Sequence, residues 1–389
     1  MKITGFKNAN LVLGRGVKKS SLGISDGEIV GFFAPEGAVE LPENLYVAPG
    51  FVDEHIHGAM GCDTMDASEE SLETIATSLL QEGVTSFLAT TMTESGENIE
   101  KSMVCVREYM KGKHPGAQIR GLHLEGPFIS VKYKGSQDEQ HIKKPDAALF
   151  HHYNELSGMN IHEVTFAYEE EGGDEFLKYC LEHNVTPSIG HSNASGEKAR
   201  EGFEKGIYCV THLYNAQTPL HHRNAGIVGE ALITNGVHTE VICDLRHICA
   251  DALRVVFRNK RKEDIILISD SSPAKYLPEG QSSHLGKQPI WVKDGVAVLE
   301  NGTIAASILH LDQALRNIRP IAEGYTYADL INLVTINPAR NVHLDKEVGS
   351  IEEGKRADFV ILDEDFHVAA TIIGGEVVYR GENCPDCLK

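Results

Sequence analysis

No run of this chain approaches the ~20 consecutive apolar residues that a membrane-spanning helix needs. Met1–Gly16 carries Lys2 and Lys7 but no sustained apolar stretch of the kind that opens a secretion signal. Membrane insertion and secretion are therefore not expected, and a cytoplasmic protein is. Positive charge is also scarce. Thirty-six Lys and Arg stand against 56 Asp and Glu, a formal net charge of −20, which disfavours nucleic acid or an anionic membrane as partner. An anionic small molecule would need a local basic pocket. A disulfide framework is missing too: the eight cysteines are scattered through apolar segments, as buried small hydrophobes in a reducing compartment would be. Cys384-Pro-Asp-Cys387 is a C-x-x-C, but it lies in a polar tail with no second knuckle and reads as two free thiols rather than half a zinc site. Internal repeats and low-complexity segments are absent.

What is present is an alternation of strand-length apolar runs with helical patterns. The expected strands are 51–57, 84–90, 119–125, 163–168, 185–191, 207–212, 239–244 and 265–270. Between the first two, Leu72, Ile75, Ala76, Leu79 and Leu80 recur at helical spacing, the pattern of an amphipathic helix laid on a sheet. Cys249–Arg261 repeats it after strand seven. Eight near-continuously apolar strands separated by helices imply a closed parallel (β/α)8 barrel of the TIM type, because only an outer ring of helices lets both strand faces be apolar. The flanks differ: 1–50 and 345–389 carry short β-like pieces and turns, among them Ser25-Asp-Gly-Glu-Ile29 and Gly374-Gly375. The expected architecture is an α/β barrel over 51–344 with a small β-sandwich domain built from both chain ends; 389 residues suffice for one large core and such an appendage.

This assignment gathers dispersed residues into a site. His55-Ile-His57, Glu125, His191, His212 and Asp270 all fall at or near strand ends, and barrel catalysis sits at the C-terminal mouth. Imidazole and carboxylate ligands suit a borderline divalent ion such as zinc or iron, one or two per subunit, which makes a nucleophile of water near neutral pH. His-x-His alone is a weak signal among 19 histidines, although alternate strand residues share a face.

At these residues the chain resembles the N-acetylglucosamine-6-phosphate deacetylases of the amidohydrolase superfamily. The resemblance rests on Pro49-Gly-Phe-Val-Asp53 leading into His55-Ile-His57-Gly58, on His123-Leu-Glu-Gly-Pro-Phe128, Gly190-His-Ser-Asn-Ala194 and Thr211-His-Leu-Tyr-Asn-Ala216. Later pieces agree: Leu220-His-His-Arg223, Ile268-Ser-Asp270, Asn337-Pro-Ala-Arg340 and Gly349–Asp358. It implies Glu125, His191 and His212 as principal metal ligands, Asp270 as the catalytic carboxylate, and Asn215, Ala216 and Ile308 as substrate contacts. Arg223 and His247 would hold a 6-phosphate, one of them across a homodimer interface. Arg suits that task through bidentate charge-assisted bonds.

Two departures stand out. Where many relatives have a histidine on the acetyl carbonyl, this chain has Gly135-Ser136-Gln137; Gln137 can donate an N–H to an oxyanion but carries no charge. His55 and His57, which some relatives lack, imply a second metal position or groups that orient water and Glu125. A cyclic amidase or aminoacylase is the nearer alternative, but those commonly carry a modified lysine on strand four, and 163–168 contains none. The farther alternative is a non-catalytic scaffold of the same fold.

Overall fold

The computed structural model describes residues 1–389. Eight parallel strands follow one another around a single sheet: Phe51–Ile56, Val84–Thr90, Gln118–Glu125, Ile161–Phe166, Thr186–Ile189, Cys209–Val210, His238–Ile242 and Ile265–Ile268. The last meets the first through one parallel bridge, Ile56 to Ser271. Asp270 N–H donates to the His55 carbonyl at 2.9 Å and His57 N–H to that of Ser271 at 2.9 Å. The barrel is closed by the residues that carry the expected site, not by a full ladder.

Helices cover the outside as the periodicity predicts. The first, Glu69–Ser78, is capped by Ser68, whose hydroxyl accepts from Ser71 N, and buries Leu72, Ile75 and Ala76. Leu79 and Leu80 continue the same face into a 3-10 turn, Leu79–Glu82. The helix after strand seven, Ala250–Asn259, presents Leu253, Val256 and Phe257 to the barrel. It stops where Lys260 turns inward and donates to the carbonyls of Ala231, Thr234 and Val237.

The expectation of strands apolar throughout needs correction. The outer faces are apolar, but Glu54, His123, Glu163, Thr165, Ser188, Thr211 and Glu240 are buried on the same strands or at their ends. Four of them bond to one another across the barrel: His123 Nε2 with Thr165 Oγ1 at 2.8 Å, Thr165 with Thr211 at 2.8 Å and Thr211 with Ser188 at 2.6 Å. A buried polar group is tolerable when paired, and the three glutamates find other partners, Glu54 and Glu163 in the Asn341 amide and Glu240 in His55 and the His212 N–H.

The chain ends build one seven-stranded sheet, in the order Glu376–Arg380, Val368–Ile373, Phe359–Leu362, Tyr46–Pro49, Gly5–Leu13, Gly16–Ser25, Glu28–Gly31. All neighbours are antiparallel except Tyr46–Pro49 with Gly5–Leu13. The sheet curls until Ile3 N–H reaches the carbonyl of Gly375 at 2.8 Å, enclosing a core in which Phe6 meets Phe359 edge to face at 5.7 Å. Asp26 and Gly27 both have positive φ, 51° and 83°, so Asp-Gly makes the tight turn whose twist suits a hairpin.

One element has no counterpart in the sequence reading. Ser282–Leu285, Gln288–Lys293, Val296–Val298 and Ile304–Ala306 form a four-stranded antiparallel sheet between strand eight and the helix Leu311–Ile318. It leans on the barrel mouth: Ser136 Oγ donates to the Ala305 carbonyl at 3.0 Å and Gly286 N–H to Asp63 Oδ2 at 2.9 Å. No helix is long and apolar enough to cross a membrane.

Candidate metal centre and active site

Three site residues leave their strands in the same way. His191, His212 and Asp270 each lie two residues past the end of a strand and each has positive φ, 45°, 30° and 45°. Side-chain-bearing residues avoid this left-handed region, and its strain concentrates at functional sites. Sequence patterning extended these strands through the site residues; the backbone instead turns before them. Glu125 is the last residue of strand three, and His57 follows the end of strand one.

The side chains converge. Glu125 Oε1 lies 3.2 Å from His191 Nε2 and 3.0 Å from His212 Nε2, and the two nitrogens are 3.1 Å apart. His191 Nδ1 lies 2.9 Å from the Tyr133 carbonyl, which can only accept, so in the neutral ring Nε2 is the lone-pair atom. The His191 lone pair and the Glu125 oxygen it faces at 3.2 Å repel unless a cation lies between them. The donor set therefore fits a divalent ion, with nitrogen and oxygen ligands of the type zinc and iron take. Beside it, Asp270 Oδ1 is 3.4 Å from His57 Nε2 and 3.6 Å from His55 Nε2, while Glu125 Oε2 is 3.4 Å from His57 Nε2. His55 Nε2 is buried without a hydrogen-bond partner, which fits a second ion.

The electrostatics agree. Burial works against ionisation of Glu125, yet the surrounding imidazoles, His191 first and then His212 and His57, hold it well below the ordinary carboxylate range. Burial opposes charge on His57, but the Asp270 and Glu125 oxygens outweigh it and push the imidazole up to about 9. The pocket's two carboxylates demand positive charge at close range, from protons or from a metal.

A cavity of about 180 Å³ opens onto these groups, lined among others by His57, Glu125, Gln137, His191, His212, Asn215, Ala216, His247, Asp270, Ile304 and Ala305. His247 Nδ1 is engaged by Asp244 Oδ2 at 2.6 Å, leaving its other nitrogen available. Gln137 is committed: Nε2 donates to Glu125 Oε2 at 2.7 Å and Oε1 accepts from Thr93 N at 2.7 Å. Arg223 does not reach this cavity. It is exposed in a small turn bridged by His221 and Asn224, its guanidinium 2.7 Å from His222 Nε2. Ile308 lines another cavity, with Arg246 and His310, whereas Ile304 and Ala305 line the one at the metal-site residues. Sequence reasoning missed Met92 and Ser136, which also line the cavity, and no spacing signal marked either.

Residues 46–378 match the amidohydrolase family. An N-acetylglucosamine-6-phosphate deacetylase of Bacillus subtilis (strain 168) is 36% identical over 93% of each chain. An N-acetylgalactosamine-6-phosphate deacetylase of Escherichia coli O157:H7 is 31% identical over 92% of this chain and 94% of its own. Among solved structures, an N-acetylglucosamine-6-phosphate deacetylase from Thermotoga maritima superposes with a TM-score of 0.88 at 34% identity, covering 97% of this chain and 100% of that one.

Proposed function

We propose, from the premise that this chain belongs to the amidohydrolase family, that it is a metal-dependent hydrolase converting N-acetylglucosamine-6-phosphate to glucosamine-6-phosphate and acetate. The observation that carries this reading is the complete donor set of Glu125, His191, His212 and Asp270 around one buried cavity. Glu125, His191 and His212 would hold the first ion and His55 and His57, with Glu125 between, a second. Bound there, a divalent cation of the zinc or iron class lowers the pKa of water and polarises a carbonyl.

The rest falls to the protein. Asp270, buried and within 3.4 Å of His57 Nε2, is a carboxylate oxygen placed to accept the proton of the attacking water and return it to the departing sugar nitrogen. Gln137, bonded to Glu125, fixes that carboxylate, and its second amide hydrogen, now facing only the weak acceptor Met92 Sδ at 3.6 Å, would turn to the developing oxyanion. Asn215 and Ala216 line the cavity with Ile304 and Ala305 of the four-stranded sheet, and together these would seat the sugar. His247 supplies one phosphate contact from within. The exposed Arg223 would supply another by entering the cavity of a neighbouring subunit in a homodimer. We assign the chain to the cytoplasm, with residues 1–50 and 345–389 as a supporting domain and 51–344 as the catalytic one.

Acetate release from N-acetylglucosamine-6-phosphate, measured beside the galactosamine isomer and the unphosphorylated sugar, with metal analysis of the same sample, tests the reading. The glucosamine phosphate should be turned over fastest. No acetate from either phosphorylated sugar by metal-loaded protein would sink it.

A further inference from the structure

Below the cavity lies a buried carboxylate to which the hydrolytic reading gives no task. Glu240, on strand seven, is fully shielded from solvent. Its Oε2 accepts from His55 Nδ1 at 3.0 Å and from the backbone N–H of His212 at 3.0 Å. Its own carbonyl accepts from Leu213 N–H at 2.8 Å. One residue thus grips strand one through an imidazole and the turn after strand six through two successive amides.

Both grips act on metal-facing groups. His212 sits at φ 30°, a conformation that persists only where surroundings impose it, and Glu240 holds the amides on either side of its side chain. For His55, an acceptor on Nδ1 places the ring proton there and leaves Nε2 as the lone-pair atom, which is how carboxylate partners orient metal-ligating histidines. That Nε2 stands 3.6 Å from Glu125 Oε1 and 3.6 Å from Asp270 Oδ1, fully buried and unpartnered. The deeper trio of Glu54, Glu163 and Cys209 is no rival cation site. Asn341 Nδ2 fills it, at 2.9 Å from Glu54 Oε1, 3.4 Å from Glu163 Oε2 and 3.5 Å from Cys209 Sγ.

We propose that Glu240 is a positioning residue that couples the two metal positions: a single carboxylate orients His55 for the second ion and clamps the turn that presents His212 to the first. This rests on the two-position reading above, and it assigns Glu240 no contact with substrate.

The test uses the full chain loaded with excess zinc or cobalt and then desalted, with metal per chain, the visible spectrum of the cobalt form, and kcat and KM for acetate release. Wild type should hold two ions. Glu240→Leu, which removes the acceptor, should hold one, change the cobalt spectrum and lose roughly 10–100-fold in kcat with little change in KM. Glu240→Gln keeps an acceptor oxygen and should retain two ions and most of kcat. Should the leucine variant not fold, Glu240→Asp decides: one methylene shorter, it cannot span His55 and His212 and should also lose an ion. Two ions with a wild-type cobalt spectrum in either the leucine or the aspartate variant, or a single ion in wild type, would overturn the proposal. Two ions in wild type without acetate release would instead overturn the substrate reading, leaving the metal counts to judge Glu240.

Discussion

Replacing Asp270 by Asn tests the chemistry at its centre. The amide is nearly isosteric, so the closure of the barrel through Asp270 N–H and the His55 carbonyl at 2.9 Å is untouched, as are the donors Glu125, His191 and His212. What disappears is a proton acceptor whose Oδ1 lies 3.4 Å from His57 Nε2 and 3.6 Å from His55 Nε2. A positioned general base contributes about 10²–10⁴-fold, so the loss corresponds to roughly 3–5 kcal/mol of barrel-mouth transition-state stabilisation at about 1.4 kcal/mol per decade. It should appear in kcat and kcat/KM alike, because water attack rather than sugar binding is impaired. The assay is acetate release at saturating substrate, accompanied by circular dichroism and metal content, with at least one ion per chain expected. Activity within tenfold of wild type, with metal and fold intact, would refute the role given to Asp270.

Arg223→Ala should raise KM for the phosphorylated sugar and barely affect the neutral one, with a loss of about 2–5 kcal/mol if the contact is buried and bidentate; equal effects on both substrates would place Arg223 away from the phosphate. His55→Ala with His57→Ala should lower the metal content of zinc-loaded, desalted protein from two ions per chain to one, and identical content in both proteins would show that no second position exists. Stability should fall on acidification through His310: burial, then the nearby Lys275 charge, depresses its imidazole to about 4. The unfolded chain binds this proton from pH 6.5 downward while the folded chain resists until about 4, so stability is present above pH 6.5 and is lost between those values, by on the order of 3 kcal/mol. Urea unfolding at pH 7 and 4.5 should show a smaller difference for His310→Gln than for wild type; an unchanged difference would contradict the assignment.

The barrel strands, and the residue types proposed to hold metal at their ends, were legible in the sequence for one physical reason. A (β/α)8 barrel repeats a short apolar run and an amphipathic helix, and its chemistry collects at strand ends, so His57, Glu125, His191, His212 and Asp270 announce themselves by position as well as by type. The Asp26-Gly27 turn was legible because few residues tolerate two successive positive φ values. The sheet at Ser282–Ala306 could have been suspected from Asp294-Gly295, which has the same left-handed pair, at 52° and 79°, but its strands are short and only partly buried. Other features depended on register and closure. Glu240 reads as an isolated acid in an apolar strand whether it faces the lumen or the helices, and only the folded barrel brings it within 3.0 Å of His55, 185 positions away. Gln137 reads as a free donor until the fold lays it on Glu125. Arg223 and Ile308 have residue types that suit a sugar phosphate, yet the path of the backbone carries both outside the cavity. The sequence by itself determined which residues could bind a metal and on which strands they ride. The tertiary structure alone decided which of them meet, because hydrogen-bonding partners far apart in the chain are selected by the barrel's closure and not by local pattern.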